Sequence, residues 1–223
     1  MMSTTTAEPA RFETMRHAMV ASQLRTNSVN DPRVVEAMAR IPREQYVPAA
    51  QRELAYRDRL IPTAGGRKLN TPLATGLLIT LAQVAPNDKV LLIGAGGGYT
   101  AAVLAELASE VVAVEEDPTL AALARDALAG TAKVTLIEGA LVGGAAGHAP
   151  FDVLLVDGAV EQLPDPLVAQ LKVGGRAAAG LVDRGVTRIC SGQRTDAAFA
   201  LTDLYDVECA VLPGFARPRN FRF

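Results

Sequence analysis

From Lys89 onward, short apolar runs alternate with stretches of helical character. The runs consist of Val, Leu and Ile, so a strand formed by any of them would be apolar on both faces. Strands buried on both faces and separated by helices are typical of a parallel sheet covered on two sides. We therefore predict an α/β fold with an αβα doubly wound, mostly parallel sheet. The predicted strands are residues 90–93, 111–114, 134–137 and 153–156, and the predicted helices are residues 99–107 and 119–128.

The first part of the chain is predicted to be helical. Asp31 followed by Pro32 signals a helix start, because aspartate caps free N–H groups and proline suits the first turn. Pro42 ends that helix, since proline cannot continue it. Two further helices, at residues 48–55 and 72–83, and a loop at residues 56–71 complete this region.

The pattern is less regular beyond Gly175. Residues 176–179 are rich in alanine, residues 186–190 form a better strand candidate, and residues 207–212 are predicted to be the last strand. We expect one structural domain overall. It is divided into a disordered N-terminus at residues 1–10, a helical region with its loop at residues 11–71, and the sheet-containing core at residues 72–223.

The composition excludes several classes of partner. The 223 residues include 22 basic and 24 acidic side chains, and a net charge of −2 gives no reason to expect a nucleic acid as the main partner. No apolar stretch approaches the ~18 residues needed to cross a bilayer, and the first residues lack the apolar core of a secretory signal. We expect a cytoplasmic protein that binds neither nucleic acid nor membrane. Its oligomeric state stays open.

Cysteine and histidine residues offer no metal or nucleophile site. Cys190 and Cys209 form no CxxC pair, and they are expected to be buried free thiols rather than one disulfide. His17 and His148 are isolated and are expected to face solvent. No metal is therefore predicted, and no Ser-His-Asp or Cys-His arrangement is apparent.

A glycine-rich turn follows the first apolar run and leads into a predicted helix. Glycines allow a backbone to approach a ligand closely at a helix N-terminus, although such turns also occur as plain tight connections. The dinucleotide motif GxGxxG would require a glycine where Tyr99 stands, which argues against a pyrophosphate ligand. The turn consists of Gly94, Ala95, Gly96, Gly97, Gly98 and Tyr99.

An acidic residue, Glu115, ends the second apolar run. At that position a carboxylate can hold a ribose diol through two hydrogen bonds, each worth about 1.5–3 kcal/mol. Alternatively, Glu115 caps the following helix together with Glu116 and Asp117, although Asp117 suffices as the cap. The glycine turn and Glu115 together indicate an adenosyl ligand without a pyrophosphate, most simply S-adenosylmethionine.

These motifs and several others resemble the protein-L-isoaspartate O-methyltransferase family, whose members repair aged aspartyl and asparaginyl sites with S-adenosylmethionine. The resemblance implies a Rossmann-like class I methyltransferase fold, and proteins or peptides with isoaspartyl residues as substrates. Its more specific parts have the forms PRE-x-[YF]-VP and AYxD. The matching stretches are residues 23–24, 31–34, 41–48, 55–58, 93–96, 98–99, 101–105, 149–152, 170–171 and 174–176.

The resemblance also implies which residues form the site. Cosubstrate contacts are expected from the glycine turn, from the end of the second run and from the segment after the third run. Acceptor contacts are expected from the loop before the helix at residue 72. The cosubstrate residues are Gly94, Ala95, Gly96, Gly97, Gly98, Tyr99, Glu115, Glu116, Ala140 and Leu141, and the acceptor residues are Leu69, Asn70 and Thr71.

Several of these positions depart from the family pattern. Asn70 stands at the position of the active-site serine, and Leu92 replaces an acid that helps to hold the methionine part of the cosubstrate. Ala140 replaces a carboxylate that lies by the adenine, and Asp157 stands where the family has threonine. The lost contacts would weaken cosubstrate binding by about 2–4 kcal/mol. We expect weakened activity.

Asp157 is predicted to lie close to the transferred methyl group and, with Asn70, to form the catalytic pair. It would repel an isoaspartyl carboxylate ~4 Å away by about 4 kcal/mol at an effective dielectric of ~20. It could instead serve as a base for a hydroxyl substrate or hold a metal, or it could cap a turn or pair with Arg67 or Lys68. Isoaspartyl methylation is the leading hypothesis. The alternatives are methylation of a small hydroxylated molecule and a non-catalytic homologue that binds the adenosyl ligand.

Overall fold

The computed structural model describes residues 7–217, which contain six α-helices, nine β-strands and short 3₁₀ segments. The helices are α1 (Ala7–Met19), α2 (Pro32–Arg40), α3 (Pro72–Ala82), α4 (Tyr99–Leu107), α5 (Pro118–Ala127) and α6 (Asp165–Val168). The strands are β1 (Ile61–Pro62), β2 (Lys68–Leu69), β3 (Lys89–Ile93), β4 (Glu110–Glu115), β5 (Val134–Glu138), β6 (Phe151–Val160), β7 (Leu171–Asp183), β8 (Val186–Arg194) and β9 (Phe199–Asp206).

Seven strands form one sheet in the order β5-β4-β3-β6-β7-β8-β9. The first five strands in this order are parallel, and β8 and β9 add an antiparallel extension at the far edge. The predicted doubly wound, mostly parallel sheet is therefore confirmed. The carboxyl ends of β3, β4 and β6 meet at one edge of the sheet, and ligands bind at this edge in open α/β folds.

Strand β3 explains why both faces of the sheet need a cover. Val90 and Leu92 pack into the core on the face covered by α1 to α5, and Leu91 and Ile93 pack into the core on the opposite face. All four side chains are at most 1% exposed. Since successive side chains on a strand alternate between faces, an uninterrupted apolar run is required here.

Three helices begin with the same sequence signal. Asp31, Thr71 and Asp117 are the N-caps of α2, α3 and α5, and each is followed directly by proline. Each side-chain oxygen accepts a hydrogen bond from a backbone N–H of the first turn, at 2.9–3.1 Å. The predicted starts of these helices are correct to within one residue, because cap and proline act locally.

The last predicted strand, residues 207–212, is wrong. The final strand is β9, and Val211 makes only an isolated bridge to Ala159. Leu212 lies instead over the carboxyl edge of the sheet, where a Cβ on Gly158 would come within 2.5 Å of its Cγ. The alanine-rich residues 176–179 form the middle of β7.

The N-terminal region is helical as predicted, but its details differ. Residues 7–10 belong to α1 instead of a disordered segment, and residues 1–6 lie outside the described residues. The helix predicted over residues 48–55 is a 3₁₀ segment, Ala49–Leu54. The loop at residues 56–71 contains the short antiparallel pair β1–β2. The predicted division into regions stays a prediction.

Both cysteines are free and buried in the described part of the chain. Burial raises the pKa of Cys190 and of Cys209 to about 12, which keeps both thiols protonated at neutral pH. His17 and His148 are exposed, as predicted. Among residues 7–217, no helix is long and apolar enough to span a membrane.

The cap of α2 provides a test of this local control. Replacing Asp31 by Ala is expected to lower the free energy of unfolding by about 1 kcal/mol, because the Arg33 N–H loses its acceptor. The Arg33 side chain also lowers the pKa of Asp31, so this contribution exists above the ordinary carboxyl pKa and disappears as the pH falls through the lowered value. Urea denaturation at pH 7 and at pH 3 measures both effects. Asp126→Ala, at an exposed site in the last turn of α5, should cause no loss.

Candidate functional site

The glycine turn connects β3 to α4 and has no room for side chains. Gly94, Gly96 and Gly98 have φ angles of 79°, 55° and 96°, which other residues rarely adopt. A Cβ on Gly97 would lie 1.9 Å from the carbonyl oxygen of Tyr46. The backbone itself therefore forms the surface of the turn.

Tyr99 supports this turn from the first position of α4. Its ring lies 4.6 Å from the guanidinium carbon of Arg43, and its centroid is 6.0 Å from that of Tyr46. Burial raises the pKa of Tyr99 to about 12, and its hydroxyl makes no hydrogen bond within the described residues. The aromatic ring thus occupies a packing position that a glycine could not fill.

Glu115 ends β4 beside the turn, and its side chain is fully buried. Its carboxylate accepts a hydrogen bond from the Gly96 N–H at 2.7 Å, and others from the N–H groups of Glu116 and Asp117 at 3.0 and 2.9 Å. Asp117 caps α5. Glu115 therefore stabilises the chain that leaves β4, and it also lies against the glycine turn, where a sugar is expected.

Residues 67–70 lie over the turn and close the crevice. Arg67 Nη1 lies 3.3 Å from a carboxylate oxygen of Glu115, and the Leu69 side chain would come within 2.7 Å of a Cβ on Gly96. The cavity that remains is about 20 Å³. This holds about one water molecule, whereas ligand pockets measure about 300–1,000 Å³. The protein's own side chains occupy the predicted cosubstrate position in this structure.

A second polar centre surrounds Asp157, which follows the last β6 residue paired with β3. Its Oδ1 accepts hydrogen bonds from Asn70 Nδ2 at 2.7 Å and from Thr75 Oγ1 at 3.0 Å. Its Oδ2 accepts a hydrogen bond from the hydroxyl of Thr100. Donors from three elements therefore hold the carboxylate in one orientation.

These contacts exclude two alternatives that the sequence left open for Asp157. All three donors are side chains, so the carboxylate is not a turn cap. Within residues 7–217 it forms no ion pair with Arg67 or Lys68, because the Arg67 side chain extends to Glu115 and Glu116 instead.

Asn70 ties the loop to distant parts of the chain. Its side-chain oxygen accepts a hydrogen bond from the Ala210 N–H at 2.7 Å, and its carbonyl accepts one from Arg43 Nη2 at 2.6 Å. Arg43 Nε also donates to the carbonyl of Ala55 at 2.9 Å. Burial lowers the pKa of Arg43, and the charge of Asp157 acts in the opposite direction.

The residues predicted near the adenine lie outside the small cavity. The Leu141 N–H donates to Glu116 at 3.4 Å, and Ala140 is exposed. Thr71 is buried as the cap of α3 and does not line the small cavity. Glu116 lines an open groove of about 500 Å³. The other residues of this groove are Gly65, Gly66, Arg67, Asp117, Val211, Leu212 and Pro213.

The structure brings most of the predicted site together at the carboxyl edge of the sheet. The predicted residues that line the small cavity are Leu69, Asn70, Gly94, Ala95, Gly96, Gly97, Tyr99 and Asp157. The sequence interpretation missed the contacts of Arg43, Thr75, Thr100 and Ala210. Thr75 and Thr100 could have been noticed as buried polar residues near the start of otherwise apolar helices, whereas no local signal marks Ala210.

A mostly parallel sheet with a glycine turn after β3 and a buried carboxylate at the end of β4 is the arrangement of a Rossmann-like fold that binds an adenosine-containing ligand, a class that includes the S-adenosylmethionine-dependent methyltransferases. The family model for protein-L-isoaspartate(D-aspartate) O-methyltransferase matches residues 15–207. The chain therefore belongs to this family. The predicted family, fold and cosubstrate are confirmed, and the assignments of individual site residues stay predictions.

Relatives of known name agree with this placement. The chain is 41% identical over 176 residues to the protein-L-isoaspartate O-methyltransferase of Methanoculleus marisnigri, covering 78% of this chain and 79% of that protein. It is 42% identical over 167 residues to the enzyme of the same name from Koribacter versatilis, covering 74% and 75%.

Solved structures share the fold at lower sequence identity. A protein-L-isoaspartate O-methyltransferase superposes with a TM-score of 0.76 at 21% identity, covering 89% of this chain and 66% of that one. A putative Plasmodium falciparum protein-L-isoaspartate O-methyltransferase, solved with S-adenosyl-L-homocysteine, gives a TM-score of 0.75 at 17% identity, covering 88% of this chain and 97% of that one.

Residues 7–217 contain no cluster of side chains that could hold a metal ion.

The tight contact at Gly97 leads to a prediction about stability. Gly97→Ala is expected to lower the free energy of unfolding by about 2–3 kcal/mol or more, because the new Cβ collides with the Tyr46 carbonyl oxygen. Thermal and urea denaturation measure the loss. Gly147→Ala is the matched control, since its Cβ would have no neighbour within 4 Å. Equal stability of the two variants would contradict the described packing.

Proposed function

We propose that this protein transfers the methyl group of S-adenosylmethionine to the carboxylate of isoaspartyl residues in proteins and peptides, as part of protein repair. Family membership supports the reaction class. The observation that carries the assignment to this site is the Glu115 carboxylate, buried against the Gly96 N–H at the carboxyl edge of the sheet. Proteins with isoaspartyl residues are the proposed partners, and the cytoplasm is the proposed location.

The side chains present suit an adenosyl cosubstrate. Glu115 offers acceptors for a ribose diol, and the glycine turn offers a surface free of Cβ atoms. The open groove beside Glu116 extends from this point and could take the adenine. The crevice itself becomes available when Arg67 and Leu69 move away from the turn, since these two side chains lie over it in the closed form.

When bound, S-adenosylmethionine supplies an electrophilic methyl group on a sulfonium sulfur. The chain then needs only to orient an acceptor, because an isoaspartyl carboxyl with a pKa near ~4 is already ionised at neutral pH. Proximity and orientation account for most of the acceleration in such a displacement. No general base is required for this acceptor.

Asn70 is the proposed orienting residue on the acceptor side. Its amide nitrogen already donates to Asp157, and one further N–H remains for an acceptor carboxylate. A hydrogen bond to a charged group is worth about 1.5–3 kcal/mol, which corresponds to about 10- to 150-fold in rate. Asn70 can thus fill part of the serine's role.

The fixed Asp157 carboxylate favours a second candidate function, methylation of a small hydroxylated molecule. A carboxylate near the methyl group repels an anionic acceptor, but it can accept the proton of a hydroxyl. The positive charge of Arg43 and the three hydrogen-bond donors around Asp157 reduce that repulsion. A third candidate, a non-catalytic homologue, draws support from the closed crevice.

The principal test is methyl-ester formation on an isoaspartyl peptide with labelled S-adenosylmethionine. The wild-type protein is expected to label this peptide above background and to leave the matching aspartyl peptide unlabelled.

Glu115→Gln should weaken S-adenosylhomocysteine binding by about 10- to 100-fold, since a neutral amide replaces the charged acceptor. Glu138→Gln is the control, because Glu138 pairs with Glu115 in register but is exposed. Absence of peptide labelling despite tight cosubstrate binding would reject the proposed acceptor.

Substitution of Asp157 distinguishes the two catalytic candidates. Asp157→Thr introduces the residue that the family carries, and Asp157→Asn removes the charge while keeping the shape. Under the proposed function both variants keep or increase the rate of isoaspartyl methylation by up to about tenfold, because repulsion of the acceptor is relieved. If Asp157 were a base for a hydroxyl acceptor, both variants would lose activity toward that acceptor. Initial rates at saturating cosubstrate provide the measurement.

A further inference from the structure

The contact between Arg67 and Glu115 joins a loop residue to the carboxylate proposed to hold the sugar. Arg67 Nη1 approaches Glu115 Oε1 to 3.3 Å and Glu116 Oε1 to 3.9 Å. We infer that Arg67 competes within the molecule with the ribose of the cosubstrate, and that cosubstrate binding requires Arg67 to leave Glu115. This inference rests on the proposed function, and it makes Arg67 a determinant of cosubstrate affinity.

In the closed arrangement the carboxylate of Glu115 has more hydrogen-bond partners than the guanidinium of Arg67. Glu115 keeps three backbone N–H donors whether or not the guanidinium is present. Arg67 is only 10% exposed, yet its Nε and Nη1 make no hydrogen bond to any residue in 7–217. Burying a guanidinium with unpaired N–H groups is unfavourable, so the ion pair offsets only part of the desolvation. A ligand that offers Glu115 two hydroxyl donors can therefore displace the arginine.

The loop has the structure of a small flap. Strands β1 and β2 pair in antiparallel fashion, with Ile61 opposite Leu69. Gly65 and Gly66 form the tip with φ angles of 72° and 79°. A Cβ on Gly66 would have no neighbour within 4 Å, and one on Gly65 would meet only Asp117 Oδ2, at 3.6 Å, so the tip is loosely packed. The end of the flap at Asn70 is held by the Arg43 hydrogen bond to the Asn70 carbonyl. Residues 63–69, which precede it, are therefore the part of the flap that moves.

The expected size of the effect follows from the population of the open form. A ligand that binds only the open form has its apparent affinity reduced by the open fraction. If the closed form holds about 90–99% of the molecules, the apparent affinity is reduced about 10- to 100-fold. Removing the Arg67 charge should raise the open fraction and so recover a large part of the lost apparent affinity.

Calorimetry with S-adenosylhomocysteine tests the inference directly. Arg67→Met, which keeps the length but removes the charge, is expected to bind at least about tenfold more tightly than the wild type. Arg67→Lys keeps the charge and should bind within about threefold of the wild type. Arg125→Met is the control, because it removes an exposed arginine that pairs with Glu138, away from the turn. It should leave the affinity unchanged.

The outcomes separate this inference from the proposed function. Equal or weaker binding by Arg67→Met, with measurable binding by the wild type, overturns the competition and leaves the proposed function intact. Absence of binding by all variants at millimolar ligand rejects both, because no cosubstrate site then exists. Tighter binding without methylation of the isoaspartyl peptide supports the competition and rejects only the proposed acceptor.

Hydrogen exchange of the loop provides a readout that needs no ligand. Amides in residues 63–69 should exchange faster in Arg67→Met than in the wild type, because the ion pair no longer holds the flap closed. In the Arg67→Lys variant these amides should exchange at rates close to those of the wild type. Unchanged exchange in Arg67→Met would show that contacts other than the ion pair, such as the packing of Leu69 on Gly96, hold the flap closed, and it would overturn the inference.

Discussion

The site depends on the hydrogen bond from the Gly96 N–H to the Glu115 carboxylate. This 2.7 Å contact joins the turn after β3 to the end of β4, and both groups are buried. It is possible because β3 and β4 are parallel neighbours whose carboxyl ends meet at one edge. The carboxylate is therefore oriented before any ligand arrives. The same orientation places it 3.3 Å from the guanidinium of Arg67.

Two of the departures from the family pattern are joined by a hydrogen bond. Asn70 and Asp157 stand at two of these positions, and their side chains contact each other at 2.7 Å. Thr75 and Thr100 supply the other donors to the same carboxylate. Asp157 is half-buried, and a carboxylate that loses part of its hydration needs hydrogen-bond donors, so these hydroxyls explain how the site tolerates the added charge. These two departures thus belong to one hydrogen-bond network in the acceptor region.

The closed loop links this network to the sugar position. Arg67 and Asn70 lie three residues apart, and one contacts Glu115 while the other contacts Asp157. One loop therefore contributes a residue to each end of the site. A closed crevice and membership of a methyltransferase family are compatible, because a cosubstrate site needs to be open only when the cosubstrate enters or leaves.

Local signals account for the parts of the fold that were predicted well. The Asp-Pro and Thr-Pro starts of α2, α3 and α5 and the apolar runs of β3 and β4 each depend on neighbouring residues in the sequence. The error at residues 207–212 has the opposite cause. Those residues have strand-forming side chains, but Leu212 packs over Gly158 and Ala210 donates to Asn70, and both partners are distant in sequence.

The sheet, the glycine turn, the acid at the end of β4 and the family follow from the amino-acid sequence, because each rests on a short run of residues with a fixed periodicity or motif. Which charges meet depends on the three-dimensional path of the chain. Arg67 was open to pairing with Asp157, and it lies against Glu115 because the β1–β2 pair directs it there. Ion pairs between residues 48 positions apart depend on the path of the whole chain, and no local pattern encodes that path.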